Sequence, residues 1–362
     1  MAVEYLIEKH DLHALVLYGA DRSGSSVQWL TGWPVTREAA VLVQTGRPDL
    51  VLVQFRNHVP NAALMADRAE VRWGGKATFR TLAADLDGLL AHRIGTIGPI
   101  RPSDQRILSE RSSAVIPLDA EYLRLRMVKS GEETEWMRRG ATLSDRAVLS
   151  LRDGVHPGID EYQLAELVEG SYLGSGGTNH IHYFGVTSME SPDLCVPRQW
   201  PTSRTVEAGD VLVTEISASW WGYPGQVLRT MILADGPTPL FAELHEVAET
   251  AYRKVLEILR PGTSAEEVVA AAEVIEDAGF TTYDDLVHGL GGGYLPPVIA
   301  SRSRGDAPVP DVSFEAGMTV VIQPNVITTD HRAGVQTGGL VLITEDGATP
   351  LQEAEAGLWR LG

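Results

Sequence analysis

Residues 206–230 constrain the fold more than any other stretch, because they predict a β-hairpin with polar side chains on both strands. The stretch reads VEAGDVLVTEISASWWGYPGQVLRT. A turn signal at 208–210 precedes an apolar, β-branched run, and a second turn signal at 222–225 precedes the returning strand. We expect Glu215 and Gln226 to face each other near the closed end of this hairpin.

Composition predicts a soluble globular protein. Of 362 residues, 44% are hydrophobic and 22% charged, which supports a sizeable core and favours two domains. The formal net charge of -18 argues against nucleic acids and anionic membranes as partners, because their phosphates would be repelled. The single cysteine, Cys195, excludes an intrachain disulfide and a cysteine-based zinc site.

The N-terminal sequence does not have the pattern of a secretion signal. It carries acidic residues and a short apolar run without a basic flank or a small-residue cleavage site. No apolar stretch reaches the ~20 residues that a membrane span requires. We therefore expect a cytoplasmic protein without a membrane segment.

Residues 1–120 predict an α/β layer domain. An amphipathic helical pattern covers residues 78–90. Four runs read as buried strands: 15–18, 40–43, 50–53 and 94–98. Strands that alternate with helices in this way favour a layered α/β arrangement.

Residues 121–362 predict a second domain of mixed helices and strands. Ser130, three residues before Glu133, predicts a capping box that opens a helix reaching Arg152. Further elements are predicted as helices at 160–173, 239–259 and 264–278 and as strands at 317–325 and 334–344.

The frame of the hairpin resembles a pattern of the creatinase, aminopeptidase P and prolidase superfamily. That pattern runs GD-x-x-L-x-D, then GY-x-x-D-x-x-RT, and this chain keeps Gly209-Asp210, Gly222-Tyr223 and Arg229-Thr230. Residues 26–33 and 121–133 are similar to two further family stretches. The resemblance implies an α/β N-terminal domain at 1–120, followed by an α+β pita-bread domain at 121–362.

The resemblance also implies where a dinuclear metal site would lie, with four carboxylates and one histidine as ligands. The matching positions here hold Glu215, Gln226, His288, Gln323 and Gly338. Two neighbouring cations require several anionic oxygens, which amides and a glycine do not supply. We therefore expect no catalytic metal and no other cofactor.

The acid–base histidines implied by the resemblance are also replaced. The histidine of the family's P-H-x-x-P-T loop matches Arg198, and a second histidine matches Leu295. Creatinase is the family's precedent for metal-free catalysis, but it uses the loop histidine and a glutamate at the position of Gln323. Ordinary peptidase chemistry is therefore unsupported at these positions.

A different polar set is expected to converge on the cavity. The candidate catalytic residues are Glu215, His288, His182 and His180, and the candidate substrate-binding residues are Arg198, Gln226, Gln323, Arg229 and Tyr223. A buried carboxyl must pair with a cation or carry a raised pKa, and an imidazole titrates near neutral pH. Two structural alternatives stay open: Glu215 paired with Arg229, and His180 and His182 as ordinary histidines on one strand face.

These features predict a metal-independent enzyme that acts on a small polar, amino-acid-derived substrate by proton transfer, with C–N hydrolysis or elimination as the outcome. Arg198 would hold a substrate carboxylate through a bidentate pair. A non-catalytic binding or scaffold module and a residual Xaa-Pro-type metallopeptidase are the alternatives. The resemblance also implies a homodimer, in which Trp29 and Trp33 would meet a partner surface.

Overall fold

The computed structural model describes residues 2–20, 26–88, 90–305 and 308–361. The chain divides into two compact units, Met1–Leu125 and Arg126–Gly362. The sequence pattern puts this division at residue 120. In the described parts of the chain, every helix is too short or too polar to cross a bilayer.

The first unit is a six-stranded sheet with helices. Its elements are α1 (Ala2–Lys9), β1 (Ala14–Ala20), α2 (Ser26–Thr31), β2 (Glu38–Val43), β3 (Leu50–Val53), α3 (Val59–Met65), β4 (Glu70–Trp73), α4 (Thr78–Asp85), β5 (Arg93–Ile97), α5 (Pro102–Ser109), β6 (Ala114–Pro117) and α6 (Asp119–Leu125), with a 3-10 turn at Arg56–His58. The strand order is β4-β3-β2-β1-β5-β6. The four strands predicted from the sequence are present. Trp33 lies in the core of this unit, so it is not the exposed contact that the sequence suggests.

The second unit combines a large sheet, a small sheet and flanking helices. Its elements are α7 (Gly131–Gly154), α8 (Glu161–Tyr172), β7 (Thr178–Ser188), β8 (Asp210–Trp220), β9 (Tyr223–Ile232), α9 (Pro239–Ile258), α10 (Ala265–Ala271), α11 (Val274–Asp277), β10 (Thr281–Thr282), β11 (Val287–Gly291), β12 (Gly293–Ile299), β13 (Thr319–Ile322), β14 (Asn325–Ile327), β15 (Gly334–Gln336), β16 (Gly338–Thr344), β17 (Gly347–Pro350) and β18 (Trp359–Arg360), with a 3-10 turn at Leu173–Ser175.

The helix that opens this unit begins at the predicted capping box. The Ser130 side chain accepts from the Glu133 backbone N–H, and the Glu133 side chain accepts from the Ser130 backbone N–H. These two bonds satisfy donors that the first helical turn leaves unpaired. The helix predicted at 264–278 is instead divided into α10 and α11.

Two strand junctions bring polar side chains to the middle of the unit. The large sheet has the order β12-β11-β13-β16-β9-β8-β7, and the small sheet has the order β10-β14-β15. The chain leaves the large sheet at Gln323-Pro324, between β13 and β14, and returns to it at Thr337, between β15 and β16. Pro324 has no N–H to continue the ladder of β13, which explains why that strand ends there.

Strand β8 is buried on both faces. Val211 and Val213 belong to the core built around α9, whereas Leu212 and Ile216 belong to the core built with α7 and α8. Successive strand residues point to opposite faces. Glu215 therefore lies on the Val213 face of the strand.

Candidate functional site

A carboxyl and two amides form the centre of the candidate site. Gln226 donates from Nε2 to Glu215 Oε1 and also to Gln323 Oε1, each over 2.8 Å. All three side chains are buried. In the ladder, however, Gln226 lies opposite Ser217, and Glu215 lies opposite Leu228. The predicted face-to-face register is wrong by two residues, and the two side chains meet diagonally.

The surroundings of Glu215 favour its protonated form. Burial raises the pKa of Glu215 to about 8, and the negative charge of Asp284 contributes in the same direction. A hydrogen bond from Gln336 acts in the opposite direction by stabilising the carboxylate. At neutral pH this carboxyl therefore carries a proton that it can donate.

His288 lies on β11 in a setting that favours the neutral imidazole. Its Nδ1 lies 3.1 Å from the Gly289 carbonyl oxygen, which can only accept, so Nδ1 carries the hydrogen and Nε2 the lone pair. Burial lowers the pKa of His288. The Tyr294 ring stacks on the imidazole with centroids 4.3 Å apart and an angle of 21° between the planes.

The two histidines of β7 do not share a face. A β-bulge lies between Asn179 and Ile181, and His180 is its extra residue. His182 lies opposite Ile216, and its Nε2 is 2.6 Å from the Tyr172 hydroxyl. Burial lowers the pKa of His182 to about 4. His182 thus belongs to the helix-packed face, and its prediction as a catalytic residue is not supported.

His180 has a different relation to the site. Its charge lowers the pKa of His288, so the two imidazoles are electrostatically coupled. No hydrogen bond joins them among the bonds of the described residues. His180 therefore stays a predicted site residue at the margin of the cluster.

Arg198 is paired away from the cluster. Its Nη1 donates to Glu161 Oε1 over 3.0 Å, and Glu161 is completely buried on α8. Glu161 also accepts from the backbone N–H and the hydroxyl of Thr202, over 2.8 and 2.7 Å. This pair fastens the loop before β8 to α8. The predicted use of Arg198 as a substrate clamp is therefore not supported.

Arg229 also lies outside the cluster. It is three residues after Gln226 on the same strand, so the two side chains point to opposite faces. Its guanidinium donates to four backbone carbonyls: Glu355, Leu228, Gly338 and Ala354. Neither the predicted substrate contact nor the alternative ion pair with Glu215 is formed.

Tyr223 is the third predicted binding residue that the structure places elsewhere. Its hydroxyl donates to Glu133 Oε1 over 3.0 Å, and its ring packs edge-on against Trp136. Tyr223 begins strand β9 beside α7, where it fixes the start of the strand.

Sequence reasoning missed four residues around the cluster. They are Tyr183, Asp284, Tyr294 and Gln336. Tyr183 lies directly opposite Glu215 in the ladder, and the Tyr294 hydroxyl donates to Asp285 Oδ2 over 2.8 Å. The alternation of faces along β7 would have placed Tyr183 beside Glu215 only if the bulge at His180 had been known, because the bulge shifts the pairing by one residue. Gln336 had a signal, since it lies two residues before the glycine at a matched ligand position.

The cluster can be compared with the ligands that a metal would need. Within the described ranges, no three side chains of the His, Cys, Asp or Glu type are grouped to hold a metal ion. Gly338 has a φ of 126°, and a Cβ built there would overlap the Ile322 carbonyl oxygen. The backbone at this matched position thus does not admit a side chain without rearrangement.

Comparison with known proteins places this chain in a family. A model described as metallopeptidase family M24 matches residues 135–345, more than half of the chain. The Xaa-Pro dipeptidase of Pyrococcus furiosus is 27% identical over 234 residues, which are 64% of each chain. The uncharacterized peptidase YqhT of Bacillus subtilis is 23% identical over 90% of each chain.

The fold of this chain matches solved structures over nearly its whole length. The Xaa-Pro dipeptidase from Bacillus anthracis has a TM-score of 0.84 at 18% identity and covers 99% of this chain and 98% of its own. The prolidase from Pyrococcus furiosus has a TM-score of 0.80 at 21% identity, covering 97% and 99%. At this identity the likeness establishes the fold, and it confirms the predicted α/β domain followed by a pita-bread domain. Because the family model matches more than half of the chain, the chain belongs to metallopeptidase family M24.

Proposed function

We propose that the protein is a metal-independent hydrolase that cleaves a C–N bond of a small polar substrate, with Glu215 as general acid and His288 as general base. The family consists of peptidases, which supports a hydrolase at the coarse level. The observation that carries the proposal is the Gln226 amide, which bridges Glu215 and Gln323 at 2.8 Å each. This arrangement leaves one carboxyl among amides at the centre of the site.

The acid and base roles follow from opposite changes in pKa. The pKa of Glu215 is raised to about 8 by burial, and the pKa of His288 is lowered by burial. At pH 7 Glu215 holds a proton, and His288 is neutral with a lone pair on Nε2, although the Gln323 side chain also acts on this ring. Two groups whose environments move their pKa values apart are suited to act as an acid and base pair.

The proposed step balances in atoms and protons. His288 Nε2 takes a proton from water, and the water oxygen forms a bond to the substrate carbonyl carbon. The C–N bond then breaks as Glu215 gives its proton to the leaving nitrogen. Proton return from His288 to Glu215 restores both groups, and one water is consumed for each bond broken.

Tyr183 is suited to stabilise negative charge that develops on the substrate oxygen. It lies opposite Glu215 in the ladder. Burial and the nearby Glu215 and Asp284 raise the pKa of Tyr183, so its phenol keeps its hydrogen and can donate it. Fixed donors aimed at developing charge contribute strongly to catalysis.

The donor set argues against the family's metal chemistry at this site. Glu215 and His288 are the only anionic or imidazole groups at the five matched positions, since the others are Gln226, Gln323 and Gly338. Amide oxygens do not supply the charge that two neighbouring divalent cations require. The backbone conformation at Gly338 supports the same conclusion.

The test combines metal analysis with turnover. Purified protein is assayed on a panel of Xaa-Pro dipeptides and small amides, before and after chelation, with Glu215→Gln and the exposed control Glu246→Gln. We expect less than about one metal per chain, activity unchanged by chelator, and turnover lost only in Glu215→Gln.

Other outcomes would select an alternative. Stoichiometric metal with activity lost on chelation would favour a residual Xaa-Pro-type metallopeptidase, as family membership suggests. Ligand binding that survives Glu215→Gln, with no turnover in any protein, would favour a binding or scaffold module. We also expect the protein to be a homodimer and to lie in the cytoplasm. A monomer in sedimentation at micromolar concentration would contradict the homodimer.

A further inference from the structure

Gln336 brings a buried hydrogen-bond acceptor to the proposed site. It ends strand β15, is 1% exposed, and its side chain lies close enough to Glu215 to oppose the rise in the pKa of that carboxyl. Its Oε1 has no hydrogen-bond partner among the described residues. Ser217, opposite Gln226 in the ladder, is likewise buried with an unpartnered hydroxyl oxygen. An unpaired buried acceptor is unfavourable, so a ligand hydrogen that satisfied it would bind favourably.

The backbone around Gln336 is fixed. The Thr230 hydroxyl donates to the Gln336 carbonyl over 2.8 Å and accepts from the Gln336 N–H over 3.0 Å. The Thr337 hydroxyl donates to Glu249, and Arg229 donates to the Gly338 carbonyl over 2.8 Å. These bonds hold each residue of the segment 336–338. The backbone that carries the Gln336 side chain is therefore fixed before a ligand arrives, which reduces the entropy cost of binding.

The charge around this acceptor disfavours a free carboxylate. Arg198, the cation predicted to hold one, donates instead to Glu161, and Arg229, a predicted substrate-binding residue, donates to backbone carbonyls. Asp284 contributes an acidic group and Gln336 an unpaired oxygen, whereas Glu215 is protonated at neutral pH and adds no charge. A ligand carboxylate would face acceptors and acids, whereas an N–H group would find a partner.

We propose that Gln336 Oε1 accepts a hydrogen bond from an uncharged N–H group of the substrate, so that the site selects a carboxamide or peptide amide over a free carboxylate. This inference rests on the proposed function, since it assumes that the substrate binds beside Glu215. It assigns Gln336 to substrate contact, and it makes Arg229, Thr230 and Glu249 positioning residues for Gln336.

Two matched probes test the selection. Ala-prolinamide and Ala-proline differ only in an uncharged amide against a carboxylate, and isothermal titration at pH 7 measures the affinity of each. We expect the amide to bind wild type about tenfold more tightly, because only the amide satisfies the acceptor. Gln336→Met should remove this preference, and the exposed control Gln105→Met should keep it.

Further variants keep the result interpretable. Gln336→Glu retains an acceptor and should keep or increase the amide preference, which covers the case that Gln336→Met does not fold. Thr230→Val removes the hydroxyl that holds the segment and should weaken the preference without changing Gln336. Equal affinities, tighter binding of Ala-proline, no binding of either probe, or an unchanged preference in Gln336→Met would each overturn the inference.

Failure of this inference is distinguishable from failure of the proposed function. If neither probe is hydrolysed but the amide preference depends on Gln336, the selection stands and the catalysis does not. If turnover depends on Glu215 but the preference is unaffected by Gln336→Met, the catalysis stands and the selection does not.

Discussion

Tyr183 lies directly opposite Glu215 in the β7–β8 ladder, whereas His182 lies opposite Ile216 on the other face of the sheet. Neighbouring residues of a strand point to opposite faces, so one position decides which side chain meets the carboxyl. The bulge at His180 sets that position. A phenol, and not the predicted imidazole, is therefore placed across from Glu215.

Tyr183→Phe should lower turnover without a large loss of stability. The change removes one hydroxyl from a half-buried side chain and leaves the ring in place. Loss of one donor to developing charge costs about a hundredfold in kcat in comparable sites. Steady-state kinetics on a substrate from the amide panel measures the effect. The matched change is His182→Phe: if it lowers kcat as much as Tyr183→Phe at equal stability, the assignment of faces is wrong.

Stability should fall with rising pH because of Glu215, and Glu215→Gln should remove that dependence. The pKa of Glu215 is raised from 4.5 to about 8 by burial, so the folded state binds more protons between these values. Stability from this group is full below pH 4.5 and is lost as the pH rises toward 8. At pH 9 the free energy of unfolding of Glu215→Gln should exceed that of wild type by a few kcal/mol. Each tenfold change in the acid dissociation constant corresponds to about 1.4 kcal/mol.

Chemical denaturation at pH 5, 7 and 9 measures this difference. Other titrating groups are shared by the two proteins, so their contributions cancel in the comparison. The control Glu246→Gln, at an exposed position on α9, should follow wild type at all three values. A difference between Glu215→Gln and wild type that is the same at every pH would show that Glu215 is ionised throughout.

Arg229→Met should destabilise the protein by on the order of 3 kcal/mol, because four backbone carbonyls, two of them in buried bonds, lose their donor. The exposed control Arg253→Met should change stability by less than about 0.5 kcal/mol. The fall in stability with pH that we assign to Glu215 should persist in the variant. Denaturation series at the same three pH values measure this. If stability falls much more steeply with pH in Arg229→Met than in wild type, Arg229 and Glu215 form an ion pair and the assignment is wrong.

Local patterns predicted the elements of this fold well. The capping box at Ser130 and Glu133 depends on neighbours in sequence, and it is present as predicted. The alternating apolar runs of the first unit became β1, β2, β3 and β5. The hairpin frame, a pattern of glycines and turns, was sufficient to indicate the family.

Contacts between distant residues were not predictable in this way. Arg198 pairs with Glu161, 37 positions away, because a backbone bridge to Phe184 brings its loop along α8. The offset between Glu215 and Gln226 follows from the tight turn at Trp221 and Gly222, which shifts the register of the whole hairpin. Neither the partner of a charge nor a register appears in the periodicity of one strand.

Restoring carboxylates at the matched positions should rebuild a metal site. The family pattern suggests restoring carboxylates with Glu215→Asp, Gln226→Asp, Gln323→Glu and Gly338→Glu. Gln226 is the donor in both bonds among the first three side chains, so the triple variant loses these bonds and should be stabilised by the cation that its carboxylates bind. Its affinity for Mn²⁺ should rise by orders of magnitude over wild type, because carboxylates supply charge that amides lack.

The fourth change should fail for a steric reason. Gly338 has a φ of 126°, which L side chains rarely adopt, and a Cβ there would overlap the Ile322 carbonyl oxygen. Adding Gly338→Glu should therefore cost more than about 3 kcal/mol, or prevent folding, unless the backbone rearranges. Calorimetry with Mn²⁺ and thermal denaturation compare the triple and quadruple variants, with Gly338→Ala in wild type as the control for strain alone. A stable quadruple variant, or a folded triple variant without any gain in Mn²⁺ binding, would contradict the residue-by-residue match on which the site assignment depends. Peptidase activity should stay low in either variant, since Arg198 and Leu295 stand where the pattern has histidines.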